Sequence, residues 1–141
     1  MTVQRAVFGV LCAVATWIGA SPMAQAQTCA TVEVHNVRPQ QGQLMLAAYA
    51  SAETFARSPL QSMRVPAGSA TMQVQLCGLA GDKVALMLFQ DLDGDGRMGR
   101  NVVGLPLEPW GSSGKPGANG PAWDSAQVAL DGQPIVVHLS Q

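Results

Sequence analysis

The sequence predicts an all-β fold: a single antiparallel sandwich of two sheets and about seven strands, with a long loop after the central strand. Three observations carry this. Short runs of alternating apolar and polar residues recur along the chain. Turn signals built from Gly, Pro, Asn and Asp separate those runs at short intervals. Almost nothing beyond the first segment reads as helix, and frequent short strands of this kind favour two packed layers.

Taken in order, "TVEVHNV" places Val32 and Val34 on one face and Glu33 and His35 on the other. "PQQG" at 39–42 turns the chain. In "QLMLAAYA", Leu44, Leu46 and Ala48 share a face and Met45, Ala47 and Tyr49 share the opposite one, so this strand reads as buried on both sides. "SAETFARSP" predicts one or two helical turns, started at Ser51 and stopped by Pro59. "SMRV" and "SATMQVQLC" are the next strands, split by "PAG"; in the second, Met72, Val74 and Leu76 alternate with Gln73 and Gln75. "KVALMLFQD", Lys83 to Asp91, is the most apolar strand and belongs at the centre of a sheet. From Leu92 to about Trp123 the chain reads as loop, rich in Gly, Pro, Ser and Asn. Loops this long in a compact domain are usually functional or held by something. "SAQVALDGQPIVVHLS" closes the chain as two strands around an Asp131-Gly132 turn.

The first residues read as a targeting segment. Arg5 precedes an apolar run from Ala6 to Ala20, and "SPMAQAQ" sets Ala24 and Ala26 at the two positions a signal peptidase reads. The expected division is therefore a signal peptide over 1–26 and a β-sandwich domain over 27–141. The apolar run is about 15 residues, short of the roughly 20 that a membrane span needs, so no span is expected once the signal is removed. With Arg5 gone, seven Lys and Arg face nine Asp and Glu. That balance argues against nucleic acid and against anionic membranes as partners. Cys29 and Cys77 then form an even pair in an exported chain, and a disulfide is expected. Closing that loop stabilises by roughly 4 kcal/mol in the chain-entropy model.

"DLDGDGRMGRN", 91–101, stands out in a chain with only 12% charged residues. Calcium takes 6 to 8 oxygen ligands. Asp91, Asp93 and Asp95 alternate so that a curled backbone aims three carboxylates at one centre, and Gly96 permits the turn that points the Arg97 carbonyl inward. This matches the first half of a twelve-residue calcium loop. The second half departs: the ninth position is Gly99 and the twelfth is Val102, where a bidentate Glu belongs. Asn101 and Glu108 are the nearby oxygens that would complete the set. The competing reading is a solvated Asp-Gly turn; magnesium is a further alternative. Mutual repulsion of three close aspartates favours a cation.

The strand "VALMLFQD", the acidic loop and the following "GLPLEPWGSS" resemble the DUF2141 family of exported bacterial proteins. There a strand ending in His-Asp leads to "D-x-N-x-N-G-x-x-D-x-N" and then "G-I-P-x-E-G-Y-G-F-S-N-N". Asp91, Asp93, Asp95, Gly96 and Asn101 fall on the first pattern, and Gly104, Pro106, Glu108, Gly111 and Ser113 on the second. Both cysteines sit where many members have them. The resemblance spans nearly all of the chain after the signal and implies an exported, transthyretin-like or prealbumin-like β-sandwich. Here Gln90 replaces the His, Gly99 replaces an Asp that is an expected ligand, and Ser112 and Gly114 replace Phe and the first Asn.

No Cys-x-x-Cys, His-x-x-x-His, Gly-x-Ser-x-Gly or phosphate loop occurs, and nothing activates Ser112 or Ser113. No catalytic residue is assigned. Trp110 and Trp123 read chiefly as caps on the sandwich core, with stacking on a sugar or partner as the alternative. The methionines read as packing. Glu108 either reaches the metal, anchors the loop or is simply an exposed loop acid. His35 and His138 lie on the first and last strands, which edge pairing would bring together. The expected function is a non-catalytic binding or structural accessory protein of the bacterial envelope, periplasmic or secreted. Calcium would order its loop, and its partner would be an envelope protein or glycan. The alternatives are an envelope hydrolase and a transition-metal carrier.

Overall fold

A computed structural model describes residues 28–140, so the expected signal peptide and its cleavage after Ala26 lie outside the described residues. Eight strands form two facing sheets: β1 Thr28–His35, β2 Gln43–Tyr49, β3 Gln61–Pro66, β4 Thr71–Leu79, β5 Lys83–Asp91, β6 Trp110–Ser112, β7 Gln127–Ala129 and β8 Ile135–His138. A single helical turn, α1 Trp123–Ala126, precedes β7. The first sheet is ordered β4-β1-β8. The second is β3-β2-β5-β6, with β7 sharing the same edge of β5 further along. The two-sheet sandwich and the central place of 83–91 are borne out.

The alternation along each strand decides which side faces in. Val32 and Val34 of β1, Val74 and Leu76 of β4, and Ile135 and Val137 of β8 meet Leu44, Leu46 and Ala48 of β2 and Val84, Leu86 and Leu88 of β5 in one core. Burying each Val or Leu stabilises by about 1.5–3 kcal/mol. Cys29 and Cys77 form a disulfide that ties β1 to its neighbour β4, where the pairing register shifts.

Four features depart from the sequence reading. The sandwich has eight strands rather than about seven, because Trp110–Ser112 pairs with Met87–Phe89 inside the stretch read as loop. The two closing strands do not form a hairpin: β7 joins β5 in one sheet, while β8 joins β1 in the other. Local turn chemistry at Asp131-Gly132 reports a reversal, not which sheet the chain enters next. β8 takes the free edge of β1, and that pairing is parallel, from Val32↔Ile135 to His35↔His138, in an otherwise antiparallel sandwich. Finally, 51–57 makes hydrogen-bonded turns without becoming a helix, interrupted where Ala56 adopts a positive φ of 57°.

Close backbone approach explains two glycines. A Cβ on Gly42 would collide with the Asp91 carbonyl, and one on Gly111 would lie 2.6 Å from the His138 carbonyl. The first lets the turn before β2 lie against the end of β5; the second lets β6 cross β8. Ser140 completes that crossing: its N–H donates to the Trp110 carbonyl at 2.7 Å and its Oγ accepts from the Trp110 N–H at 3.0 Å.

Candidate functional site

Strand β5 ends at Asp91, which pairs with Gln43 of β2 and is fully buried. Its carboxylate faces back into the loop. Oδ2 accepts from Gln43 Nε2 at 2.9 Å and from the Gly96 N–H at 3.0 Å; Oδ1 accepts from the Gly94 N–H at 2.8 Å. Gly94 and Gly96 both take positive φ, 79° and 74°, which glycine adopts without steric cost and which curls the chain around the carboxylate. The Gln43 amide, helped by those two N–H groups and by Asp93, holds the Asp91 carboxyl below its ordinary value of 3.8, against the opposing effect of burial.

Asp93 and Asp95 continue the curl on the solvent side. Asp93 Oδ1 accepts from the Asp95 N–H at 3.1 Å, and Asp95 Oδ1 from the Arg97 N–H at 2.7 Å. One oxygen from each of Asp91, Asp93 and Asp95 lies within 4.8 Å of the others. Two oxygens that are each about 2.4 Å from a calcium ion stand at most about 4.8 Å apart. The three oxygens therefore lie within the span of a single cation.

The remaining expected ligands are used differently. Glu108 is buried and spans the loop: Oε1 accepts from the Leu92 N–H at 2.8 Å and Oε2 from the Gly99 N–H at 2.9 Å. Of its three readings from sequence it takes the anchor: it is not an exposed loop acid, and it stands outside the group formed by the three aspartates. Asn101 organises the tip, its Oδ1 accepting from the N–H groups of Val103 at 3.0 Å and Leu105 at 2.9 Å. Arg97 follows the curl, exposed, with its N–H on Asp95. The structure thus brings together Asp91, Asp93 and Asp95, and spends Asn101 and Glu108 on the loop's own backbone.

Gln90 was missed as a determinant, although its place beside Asp91 was legible. It is fully buried, its Nε2 donates to the carbonyls of Arg38 and Gln41 at 2.8 and 2.6 Å, and its Oε1 accepts from the Arg38 N–H at 2.9 Å. It clamps the turn that carries Gly42 against Asp91. Ser113 is structural too: buried, its Oγ accepts from the Leu86 N–H and donates to the Ala126 carbonyl.

On the outer face of the first sheet, His35 and His138 stack at 4.8 Å between ring centroids, as their edge pairing allows. His35 Nε2 lies 2.6 Å from Glu33 Oε1, and the ring lines a cleft of about 370 Å³ that Arg38 also lines. Trp123 packs edge-on against Phe55, which packs against Tyr49 on the outward side of β2 rather than on the core cluster. Trp110 instead lines an open groove on the second sheet, together with Met45, Met87 and Met98. Met87 therefore faces out of the core rather than into it.

No curated protein and no solved structure matches the chain. A family model does match, over residues 32–138, which takes in the second half of β1, every strand from β2 to β8 and the whole acidic loop. The chain belongs to that family, DUF2141, described as an uncharacterized protein conserved in bacteria.

Proposed function

We propose that this chain is an exported, non-catalytic binding or structural accessory protein of the bacterial cell envelope, periplasmic or secreted, whose long loop is clipped by calcium. The observation that carries the reading is the convergence of Asp91, Asp93 and Asp95 within 4.8 Å at the root of that loop. The buried Asp91 is held in its charged form by Gln43, Gly94 and Gly96, so little rearrangement precedes binding. Asp93, Asp95 and the Arg97 carbonyl would supply further oxygens, with water completing the shell. Export is supported by the Cys29–Cys77 disulfide and by the signal-like first segment. No helix among the described residues is long and apolar enough to cross a membrane. The transthyretin-like assignment of the sandwich belongs to the same reading, as does a partner among envelope proteins or glycans.

At about 1 mM calcium and a Kd of about 0.1 mM, the expected gain is roughly 1.4 kcal/mol, or about 4–8 °C in Tm for a domain of this size. Thermal unfolding in calcium and in chelator reads it directly. An unchanged midpoint rejects the clip.

A specific observation favours a second reading, an envelope hydrolase or a transition-metal carrier. His35 contacts a carboxylate, stacks on His138 and lines a cleft with Arg38. Metal analysis of purified protein, alone and after His138→Ala, tests the carrier; ester hydrolysis lost in His35→Ala tests the hydrolase.

A further inference from the structure

The outward faces of the two sheets differ in chemistry, and the second one points to a ligand. Cross-strand partners Arg64, Met45, Phe89 and Trp110 run in one row across β3, β2, β5 and β6, and Ala47 and Met87 begin the next. These side chains line an open groove of about 400 Å³, and the long loop folds along it to add Met98 and Arg100. An antiparallel face turned to water normally carries polar side chains, as the outer face of the first sheet does with Thr31, Glu33, Gln73 and Gln75. Methionines on such a face make an adaptable apolar lining, and this volume falls in the range of small-molecule pockets.

Charge names the ligand's other end. Arg64 and Arg100 are exposed and both line the groove. Among the described residues neither stands within 4.0 Å of a carboxylate; the ion pair found there is His35 with Glu33. Arg100 spends one N–H on the Gly104 carbonyl at 2.9 Å, which fixes its side chain beside the groove and leaves further donors. A guanidinium matches a carboxylate or sulfonate bidentately.

We infer that this groove binds a small amphipathic anion, an apolar chain or ring carrying a carboxylate or sulfonate, with the apolar part on Met45, Met87, Phe89 and Trp110 and the anion on Arg64 and Arg100. The groove adjoins the acidic corner, since Met98 and Arg100 lie on its loop and the Arg64 guanidinium stands beside Gly96, but none of its lining residues is one of the three aspartates.

Decanoate is the probe, with decanol as its neutral match, and methyl-labelled methionines are the reporters. Decanoate is expected to shift the Met45, Met87 and Met98 methyl signals, to leave Met72 on the other sheet unmoved, and to bind with a Kd of about 10 µM to 1 mM. The double variant Arg64→Gln/Arg100→Gln is expected to bind decanoate about tenfold more weakly and decanol unchanged. Titrations in calcium and in chelator separate a failure here from a failure of the calcium clip. The inference is overturned if no groove methionine moves at about 5 mM decanoate, if the variant binds as well as the parent, or if decanol binds as tightly as decanoate. Self-association that buries the groove, read by sedimentation, also overturns it.

Discussion

The outer faces of the two sheets are built from the same strand period and end up chemically opposite. On the first sheet, Gln75 donates to Thr31, Gln73 to Glu33, and His35 stacks on His138. Side chains pair across strands and leave that face satisfied by itself and by water. On the second sheet the corresponding positions hold Met45, Ala47, Met87 and Phe89, half-buried and open to a groove. The inward sides do not differ in this way, since both are aliphatic and both belong to one core. The contrast teaches that stability needs only one side of each sheet. What the other side presents is free to serve binding, and in this molecule only one of the two faces departs from the solvated pattern.

The comparison can be broken most forcefully at the disulfide. Cys29→Ala/Cys77→Ala removes the staple within the polar-faced sheet and is expected to cost about 3–4 kcal/mol in denaturant unfolding. Below the transition, binding of decanoate on the opposite face should survive. Loss of binding in still-folded protein would show that the two faces are not independent.

A smaller and more local effect is expected at the loop. Glu108→Ala leaves the Leu92 and Gly99 N–H groups without their acceptor. It should cost about 1–3 kcal/mol and weaken decanoate binding severalfold, because the same loop carries Met98 and Arg100 into the groove. Urea unfolding and the methionine titration measure the two parts. Stability that falls while affinity holds would detach the loop from the groove.

Acid sharpens the contrast further. The Gln43 amide and the Gly94 and Gly96 N–H groups lower the Asp91 carboxyl in the folded protein. Its stabilisation is therefore complete above the ordinary aspartate value of 3.8 and is lost as pH falls through the lower, folded value. Tm recorded from pH 6 downward should hold and then drop below about pH 4, and Asp91→Asn should flatten that drop. The smallest change is expected on the polar face: Glu33→Gln, at an ion pair only partly shielded from water, should alter stability by less than about 1 kcal/mol and leave decanoate binding alone.

Much of this was legible in residue order. Strand existence came from alternation, as at Val32 and Val34 or Val74 and Leu76, because a period of two puts every second side chain on one face. The cysteine pair came from parity and compartment. The turn-forming Asp91, Asp93, Asp95 and Gly96 came from their spacing, since neighbours in sequence must be neighbours in space. Glu108 was visible as a candidate but not as an anchor: its partners, Leu92 and Gly99, are backbone groups, which every residue carries and no motif marks. Gln90 was hidden for the same reason, its partners being main-chain atoms of a turn some fifty residues earlier.

The sequence by itself determined that this chain makes strands, which side of each strand is apolar, and where an acidic turn interrupts them, because these are consequences of local period and turn chemistry. Only the tertiary structure decided which sheet β7 and β8 join, that β8 runs parallel to β1, and that Met45 and Met87 face a groove with Arg64 and Arg100. Those outcomes depend on which strand edges are free and on contacts between residues far apart in the chain. Alternation alone cannot tell a second buried face from one that is open.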